Sequence, residues 1–180
     1  IPAVAHLTAQ YLDKDDVDEA LDLFDQAKVS GVLALRGDRV EGAEPAGVFD
    51  HASDLAAYIR EKRPNLKIYG ACYPEKHEEA PNIDTDIYWL KKKMENGAEY
   101  AVTQLFYDNR KYFDFVERAR QAGVTIPIIP GIKPFKKLSQ LRMIPKTFKV
   151  DLPEELTKEV LKCKNDAEAQ QVGIEWCVQQ

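Results

Sequence analysis

The sequence predicts an α/β fold built on a parallel sheet, and three observations lead to this prediction. Five apolar stretches alternate with stretches of helical period. Polar residues gather at the downstream end of each apolar stretch. The repeat of roughly 30 to 35 residues is typical of one strand and its crossover helix. Near-continuous apolar strands separated by helices indicate a parallel sheet that is buried on both faces.

The strands are expected at five places, each rich in β-branched or other apolar residues: 4–8, 32–38, 68–75, 101–107 and 126–133. Seven helices are expected between and after them: 13–28, 51–62, 84–95, 109–122, 135–143, 153–164 and 166–178. Apolar residues recur at helical spacing in the first helix, as Val17, Leu21 and Phe24. A residue that ends helices follows each of the first four: Gly31, Pro64, Gly97 and Gly123.

Composition narrows the class of protein. The chain has 180 residues, 44% of them hydrophobic and 31% charged, which is ordinary for one soluble domain, expected over residues 1–180. The net charge of −5 gives no basic surface for nucleic acid. We see no apolar run of membrane-spanning length and no signal peptide. Three scattered cysteines favour reduced thiols and a cytoplasmic location.

Five strands suit two architectures. They could form a complete flavodoxin-like sheet, or five-eighths of an eight-stranded (βα)8 barrel, which typically has about 250 residues. The chain ends in a predicted helix, with no strand after it, and begins in a strand. This favours a partial barrel.

Polar side chains at the strand ends predict the site. In parallel α/β folds the site lies at the carboxyl ends of the strands. One rim should therefore collect His6, Arg36, Asp38, Tyr73, Glu75, Gln104 and Lys133.

These residues differ in how strongly they indicate function. Arg36 and Asp38 suit a phosphate or carboxylate ligand as well as they suit a surface ion pair at a turn. The loop after Tyr73 is explained more simply as a series of charged residues exposed to solvent. Gln104 is more informative, because an unpaired amide in an apolar strand costs about 1–3 kcal/mol. The sequence shows no metal-ligand spacing, glycine-rich phosphate loop or serine elbow.

Five segments together resemble the methylenetetrahydrofolate reductase family, in order and in approximate spacing over essentially the whole chain. They are Ala5-His6-Leu7-Thr8, Ala34-Leu35-Arg36-Gly37-Asp38, Ala71-Cys72-Tyr73-Pro74-Glu75-Lys76-His77, residues 97–108 and Ile128-Ile129-Pro130-Gly131-Ile132. The resemblance implies a flavin-dependent (βα)8 TIM barrel of about five consecutive βα units here. It implies reduction of 5,10-methylenetetrahydrofolate to 5-methyltetrahydrofolate, in one-carbon and methionine metabolism, with NAD(P)H reducing FAD.

The resemblance also assigns residues. Expected FAD contacts are His6, Arg36, Gly37, Asp38, Ala52, Tyr73, His77, Ala80, Asp86, Lys92 and Lys93. Asp38 and Gln104 are the expected catalytic residues, and with Gln140 they are the expected substrate contacts. The intact parent is expected to be a homo-oligomer.

The chain also departs from the family pattern. The general-acid glutamate of the first strand, in a Phe-Glu-Phe-type motif, is absent, as are the nicotinamide-contacting threonine and a later substrate-binding arginine. Trp89 and Lys92 stand where the family often has Asn or Arg. We therefore expect a piece of a reductase barrel. The alternatives are a flavodoxin-like module that binds a ligand or partner without catalysis, and another barrel enzyme such as an aldolase or phosphosugar isomerase.

Overall fold

The computed structural model describes residues 2–180, which form five strands and seven helices in α/β alternation. The strands are β1 (Val4–Thr8), β2 (Gly31–Leu35), β3 (Lys67–Cys72), β4 (Tyr100–Leu105) and β5 (Ile128–Gly131). The helices are α1 (Lys14–Gln26), α2 (Ala52–Lys62), α3 (Ile83–Glu95), α4 (Asn109–Gln121), α5 (Gln140–Phe148), α6 (Glu154–Lys162) and α7 (Asp166–Gln179). The predicted α/β fold is confirmed.

The five strands form one parallel sheet in the order β1-β2-β3-β4-β5. Each strand therefore pairs with the next strand along the chain; Val4 lies opposite Gly31, and Ala101 opposite Ile128. This is the order of a barrel wall, whereas a flavodoxin-like sheet places β1 between two later strands. The flavodoxin-like alternative is wrong.

Burial alternates along β3 and β4. In β3 the side of Ile68 and Cys72 is buried beneath helices, while Tyr69 and Ala71 are partly exposed. We call the partly exposed side the open face; it carries Val4, Tyr69, Tyr100, Val102, Gln104 and Ile129. The expectation of burial on both faces is wrong for this side, because five strands of a wall do not enclose it.

Three clusters of buried side chains hold the helices in place. The first packs α1 and α2 on β1 and β2, with Leu21, Val32 and Leu55 fully buried. The second packs α3 and α4 on β3 and β4. The third joins α5, α6 and α7 around Tyr107 and Phe135. Burial of this apolar surface is the main stabilising contribution, at about 25 cal/mol per Å².

Helix termini follow the sequence signals closely for α1 to α4. Asp13 caps α1 in a capping box with Asp16, and Asn82 accepts a hydrogen bond from the Thr85 amide of α3 at 2.9 Å. The fifth helix is the exception, since it was expected over 135–143. Phe135 is instead buried in the third cluster, and α5 begins five residues later. The polar ends of the predicted strands lie in loops, because β2 ends at Leu35 and β3 at Cys72.

Candidate functional site

The carboxyl ends of β2 and β3 carry a cluster of charged and aromatic side chains. Because neighbouring parallel strands end at the same edge, the loops that follow them, residues 36–51 and 73–82, lie side by side. These loops, with the helices after them, hold most of the residues expected at the site. We call this group the rim cluster; its members are Arg36, Asp38, Tyr73, His77, Glu79, Asp86 and Lys93.

Arg36 forms a two-pronged ion pair across the two loops. Its Nη1 donates to Glu79 Oε2 at 2.6 Å and its Nη2 to Glu79 Oε1 at 2.8 Å. The carboxylate raises the pKa of Arg36, and the guanidinium lowers the pKa of Glu79. A surface pair between Arg36 and Asp38, which the sequence left open, is not among the ion pairs of residues 2–180.

His77 connects the loop after β3 to helix α3. Its backbone N–H donates to Asp86 Oδ2 at 2.6 Å, and its ring meets the Tyr73 ring edge-on, with centroids 4.7 Å apart. Burial raises the pKa of the Asp86 carboxyl, although the His77 amide opposes that shift. Burial also raises the pKa of Tyr73 to about 12, so its hydroxyl stays protonated and can donate near neutral pH.

Lys92 and Lys93 have different surroundings although they are adjacent. Lys93 Nζ donates to the Ala71 carbonyl at 2.7 Å, and burial lowers the pKa of its amine. Gly70 makes room for this side chain, since a Cβ there would lie 3.2 Å from Lys93 Cδ. Lys92 Nζ instead donates to exposed Glu95 at 2.8 Å. Only Lys93 belongs to the rim cluster.

Gly37 has a backbone conformation that residues with a side chain rarely adopt. Its φ is +98°, and a Cβ would lie 3.2 Å from the Cβ of Thr8 at the end of β1. The Gln10 amide donates to the Arg36 carbonyl at 2.8 Å, which ties the ends of β1 and β2 together. Glycine therefore exposes bare backbone between Arg36 and Asp38. His6 lies on β1 opposite Leu33 and is exposed.

Ala52 and Ala80 lie in the segments that follow β2 and β3. Ala52 is the buried first residue of α2, and the ring of the preceding His51 stacks on Trp89 of α3 at 3.8 Å between centroids. The Ala80 carbonyl accepts a hydrogen bond from Lys76 Nζ at 2.7 Å. The contact between His51 and Trp89 fixes the start of α2 against the face of α3 that also carries Asp86.

Gln104 lies half-buried on the open face, near the end of β4. Its Oε1 accepts a hydrogen bond from the Leu105 amide at 3.0 Å. Within residues 2–180 its amide nitrogen has no hydrogen-bond acceptor, so it can donate to a molecule on the open face.

Two expected rim residues, Glu75 and Lys133, and the expected substrate contact Gln140 are held by other contacts instead. Glu75 is 6% exposed in its side chain and pairs with Lys111 at 2.5 Å. Lys133 Nζ lies 5.6 Å from the centre of the Phe148 ring. Gln140 Oε1 accepts hydrogen bonds from the amides of Lys136 and Lys137, at 2.6 and 3.1 Å. These contacts place the side chains outside the rim cluster.

Two contacts of the site, Arg36 with Glu79 and His51 with Trp89, could not be predicted from the sequence. Glu79 reads as part of a solvated run of acidic residues, and nothing local indicates that Arg36, 43 positions earlier, is its partner. The stack of His51 on Trp89 also joins distant segments. Within residues 2–180 no group of His, Cys, Asp and Glu is arranged to hold a metal ion, and no helix is long and apolar enough to cross a membrane.

Comparison with known proteins decides the family. The family model described as methylenetetrahydrofolate reductase matches residues 1–180. The chain belongs to the methylenetetrahydrofolate reductase family. It is 34% identical to the Caenorhabditis elegans protein named probable methylenetetrahydrofolate reductase (NADPH), over 99% of this chain and 28% of that protein. It is 34% identical to the Zea mays methylenetetrahydrofolate reductase (NADH) 1, over 97% of this chain and 32% of that protein.

A bacterial relative is shorter. The 5,10-methylenetetrahydrofolate reductase of Salmonella typhimurium is 30% identical over 96% of this chain and 57% of that protein. The chain thus spans roughly a third of the eukaryotic relatives and just over half of the bacterial one. The resemblance read from the five segments is confirmed at the level of the family.

Solved structures support the barrel architecture. A Clostridium thermocellum protein described as binding two copies of 5-methyl-5,6,7,8-tetrahydrofolic acid matches 99% of this chain and 81% of that one, with a TM-score of 0.53 and 13% identity. A dihydrodipicolinate synthase matches 93% of this chain and 62% of that one, with a TM-score of 0.53 and 10% identity. At these identities the likeness shows the fold alone. It agrees with β1 to β5 as consecutive strands of a TIM-barrel wall.

Proposed function

We propose that this chain is the FAD- and folate-binding part of a methylenetetrahydrofolate reductase. The parent protein would reduce 5,10-methylenetetrahydrofolate to 5-methyltetrahydrofolate at the expense of a reduced nicotinamide. Family membership supports the reaction. The observation that carries the assignment for this chain is the rim cluster, where most of the expected flavin contacts meet. The names of the relatives include both NADPH and NADH, so the nicotinamide is given as NAD(P)H.

The residues of the rim cluster fit an FAD molecule. Arg36 and Lys93 provide cations for a diphosphate, and Gly37 provides bare backbone where a Cβ would be crowded. The protonated hydroxyl of Tyr73 can donate to a polar group of the cofactor. His6, Asp38, Ala52, His77, Ala80 and Asp86 complete the proposed contacts, with Lys92 at the edge of the group. When bound, the flavin supplies hydride transfer between the nicotinamide and the folate.

Asp38 and Gln104 are the proposed substrate-side residues. Asp38 follows the Gly37 turn and has no ion-pair partner among residues 2–180, so its carboxylate can accept a hydrogen bond from a ligand. Gln104 offers its amide N–H groups on the open face. Gln140 could contact substrate only after its Oε1 leaves the amides of Lys136 and Lys137. The family's general acid has no counterpart in this chain, so proton delivery belongs to the rest of the parent protein.

Binding of FAD tests the proposal directly. Purified chain would be titrated with FAD and followed by the quenching of flavin fluorescence. We expect saturable binding that Lys93→Met weakens about tenfold, since one charge-assisted contact to phosphate is lost. Lys91→Met is the matched control and should change the affinity less than twofold, because Lys91 lies on the same helix but against Gly123, which precedes β5, away from the carboxyl ends of the strands.

Two results would contradict the assignment. One is the absence of saturable FAD binding by the folded wild-type chain. The other is equal loss of affinity in the Lys91 and Lys93 variants, which would show that general surface charge and not the rim cluster holds the ligand. We further propose, on the resemblance and the composition, one domain over residues 1–180, a cytoplasmic location and a homo-oligomeric parent.

A further inference from the structure

Glu79 binds the guanidinium of Arg36, the group to which a phosphate would have to bind. We propose that Glu79 is a displaceable anion that holds Arg36 in the empty site and has to release it when a phosphate-bearing cofactor binds. The inference rests on the proposed function, because it assumes that Arg36 receives a phosphate of FAD. It makes Glu79 a built-in competitor, and not a residue that supports cofactor binding.

The geometry leaves Arg36 little capacity for a second anion. Nη1 and Nη2 each donate to one oxygen of the same carboxylate, at 2.6 and 2.8 Å, and Nε donates to the Gly37 carbonyl at 3.3 Å. The fork that matches a carboxylate also matches a phosphate, so both anions compete for the same two nitrogens. A phosphate on this side of the guanidinium therefore requires Glu79 to move.

Exposure makes that exchange easy. The side chains of Arg36 and Glu79 are 24% and 43% exposed, so the ion pair is screened by water and contributes little to stability. A diphosphate carries more negative charge than one carboxylate, so it can replace Glu79 on the guanidinium of Arg36. The pair is thus strong enough to orient Arg36 and weak enough to be replaced, and its rupture lowers the net affinity for the cofactor.

The position of Glu79 couples this exchange to the loop of residues 73–82. The Glu79 backbone N–H donates to His77 Nδ1 at 3.2 Å, and the His77 amide is bound to Asp86. The same loop presents Tyr73 and Ala80, both proposed cofactor contacts. Release of Glu79 would therefore free the middle of the loop at the moment that a phosphate arrives.

The test compares Glu79→Gln with Glu78→Gln. Glu78 is adjacent and exposed, and among residues 2–180 it forms one loose ion pair, to Lys149 at 3.7 Å, so its variant controls for the loss of one negative charge. Wild-type and variant chains would be titrated with FAD, inorganic pyrophosphate and riboflavin. We expect Glu79→Gln to tighten FAD and pyrophosphate binding about three- to tenfold, with riboflavin unchanged because it has no phosphate. Glu78→Gln should stay within about twofold of wild type.

Each contrary outcome has a distinct meaning. Weaker FAD binding by Glu79→Gln would overturn the proposal and make Glu79 a positioning residue for Arg36. An equal gain in FAD affinity in Glu78→Gln would show that the effect comes from net charge alone, and this would also overturn the proposal. If FAD binds to wild type and the affinity is unchanged in Glu79→Gln, the proposed function stands and this inference fails. If neither FAD nor pyrophosphate binds to any folded chain, both fail. Glu79→Ala, checked by its thermal melt, guards against a misfolded first variant.

Discussion

At the scale of single residues, the charge of Asp38 remains available because another carboxylate has taken its neighbouring cation. Arg36 binds Glu79 across the rim, whereas Asp38 follows a glycine with a φ of +98° that turns the chain away. A free carboxylate beside a flavin can bind the substrate and tune the cofactor electrostatically. This arrangement makes Asp38 a ligand-facing charge in the proposed reductase.

Asp38→Asn in the intact parent should separate cofactor binding from reduction. The amide preserves size and hydrogen-bonding reach, so FAD should remain bound. Folate reduction should fall about ten- to a hundredfold, since one charge-assisted hydrogen bond of about 1.5–3 kcal/mol is weakened. Steady-state kinetics with the flavin spectrum as loading control would measure both. A loss of flavin with unchanged turnover per bound flavin would contradict the role of Asp38 in the reaction.

The residues of the site were predicted unevenly from the sequence, and the reason is geometric. Arg36 and Tyr73 follow strands, so parallel topology alone brings them to one edge. Glu75 follows the same strand, but its carboxylate is drawn away by Lys111, which no local pattern reveals. The run of three lysines on α3 could not show which amine turns inward, because successive helical positions are rotated by about 100°.

At the scale of secondary-structure elements, Lys111 of α4 links the loop of residues 73–82 to the segment before α6. Its Nζ binds Glu75 after β3 and Asp151 before α6, both at 2.5 Å, and the Asp151 amide donates to Glu75 Oε2 at 2.9 Å. Lys111 itself lies in the first turn of α4. The Glu75 side chain is 6% exposed, so Lys111 compensates a carboxylate that is largely shielded from water.

Lys111→Met should destabilise the fold much more than removal of a surface lysine. It keeps most of the aliphatic stem and leaves Glu75 as a buried, uncompensated charge, so we expect a loss of about 2–4 kcal/mol in the free energy of unfolding. Lys158→Met is the control, because its pair with Glu154 within α6 is exposed on both sides, and it should cost under about 0.5 kcal/mol. Denaturant unfolding measures both. Equal losses would show that the Glu75 contact is not structural.

Elements with explicit terminal signals were predicted well, and α5 was not. Asp13, Asn82 and Asp108 accept hydrogen bonds from helix amides, and residues of this kind are recognisable at the start of a helix. The start of α5 depends on Phe135, whose backbone lies so close to Gly173 that a Cβ on that glycine would clash with the Phe135 carbonyl oxygen. Such contact between distant segments leaves no local signal.

At the scale of the whole molecule, the open face of the sheet is the largest departure from a closed fold. Val4 on β1 and Ile129 on β5 are 42% and 40% exposed, and both lie on the outermost strands. Outer strands also present unpaired backbone N–H and C=O groups to solvent. Exposed apolar surface and free strand edges together favour association.

We expect the isolated chain to self-associate and to bind a hydrophobic dye, and Val4→Lys with Ile129→Lys should reduce both effects at least about twofold. Leu161→Lys with Val178→Lys is the matched control, since these exposed residues lie on α6 and α7, away from the sheet. Sedimentation velocity and dye fluorescence provide the measurements. A monodisperse wild-type monomer that binds no dye would show that the open face is protected in solution.

The order of the strands has a consequence for how the molecule is made. Each of β2 to β5 pairs with the strand synthesised just before it, so within residues 2–180 these strands find a partner as soon as they emerge. A ribosome releases residues slowly enough for local units to form during translation. Each emerging βα unit can therefore add to the edge of an existing template, and the loops closed at each step are similar in length, so their entropic costs are similar too. The sheet can therefore form during synthesis, because each new strand pairs with the strand made immediately before it.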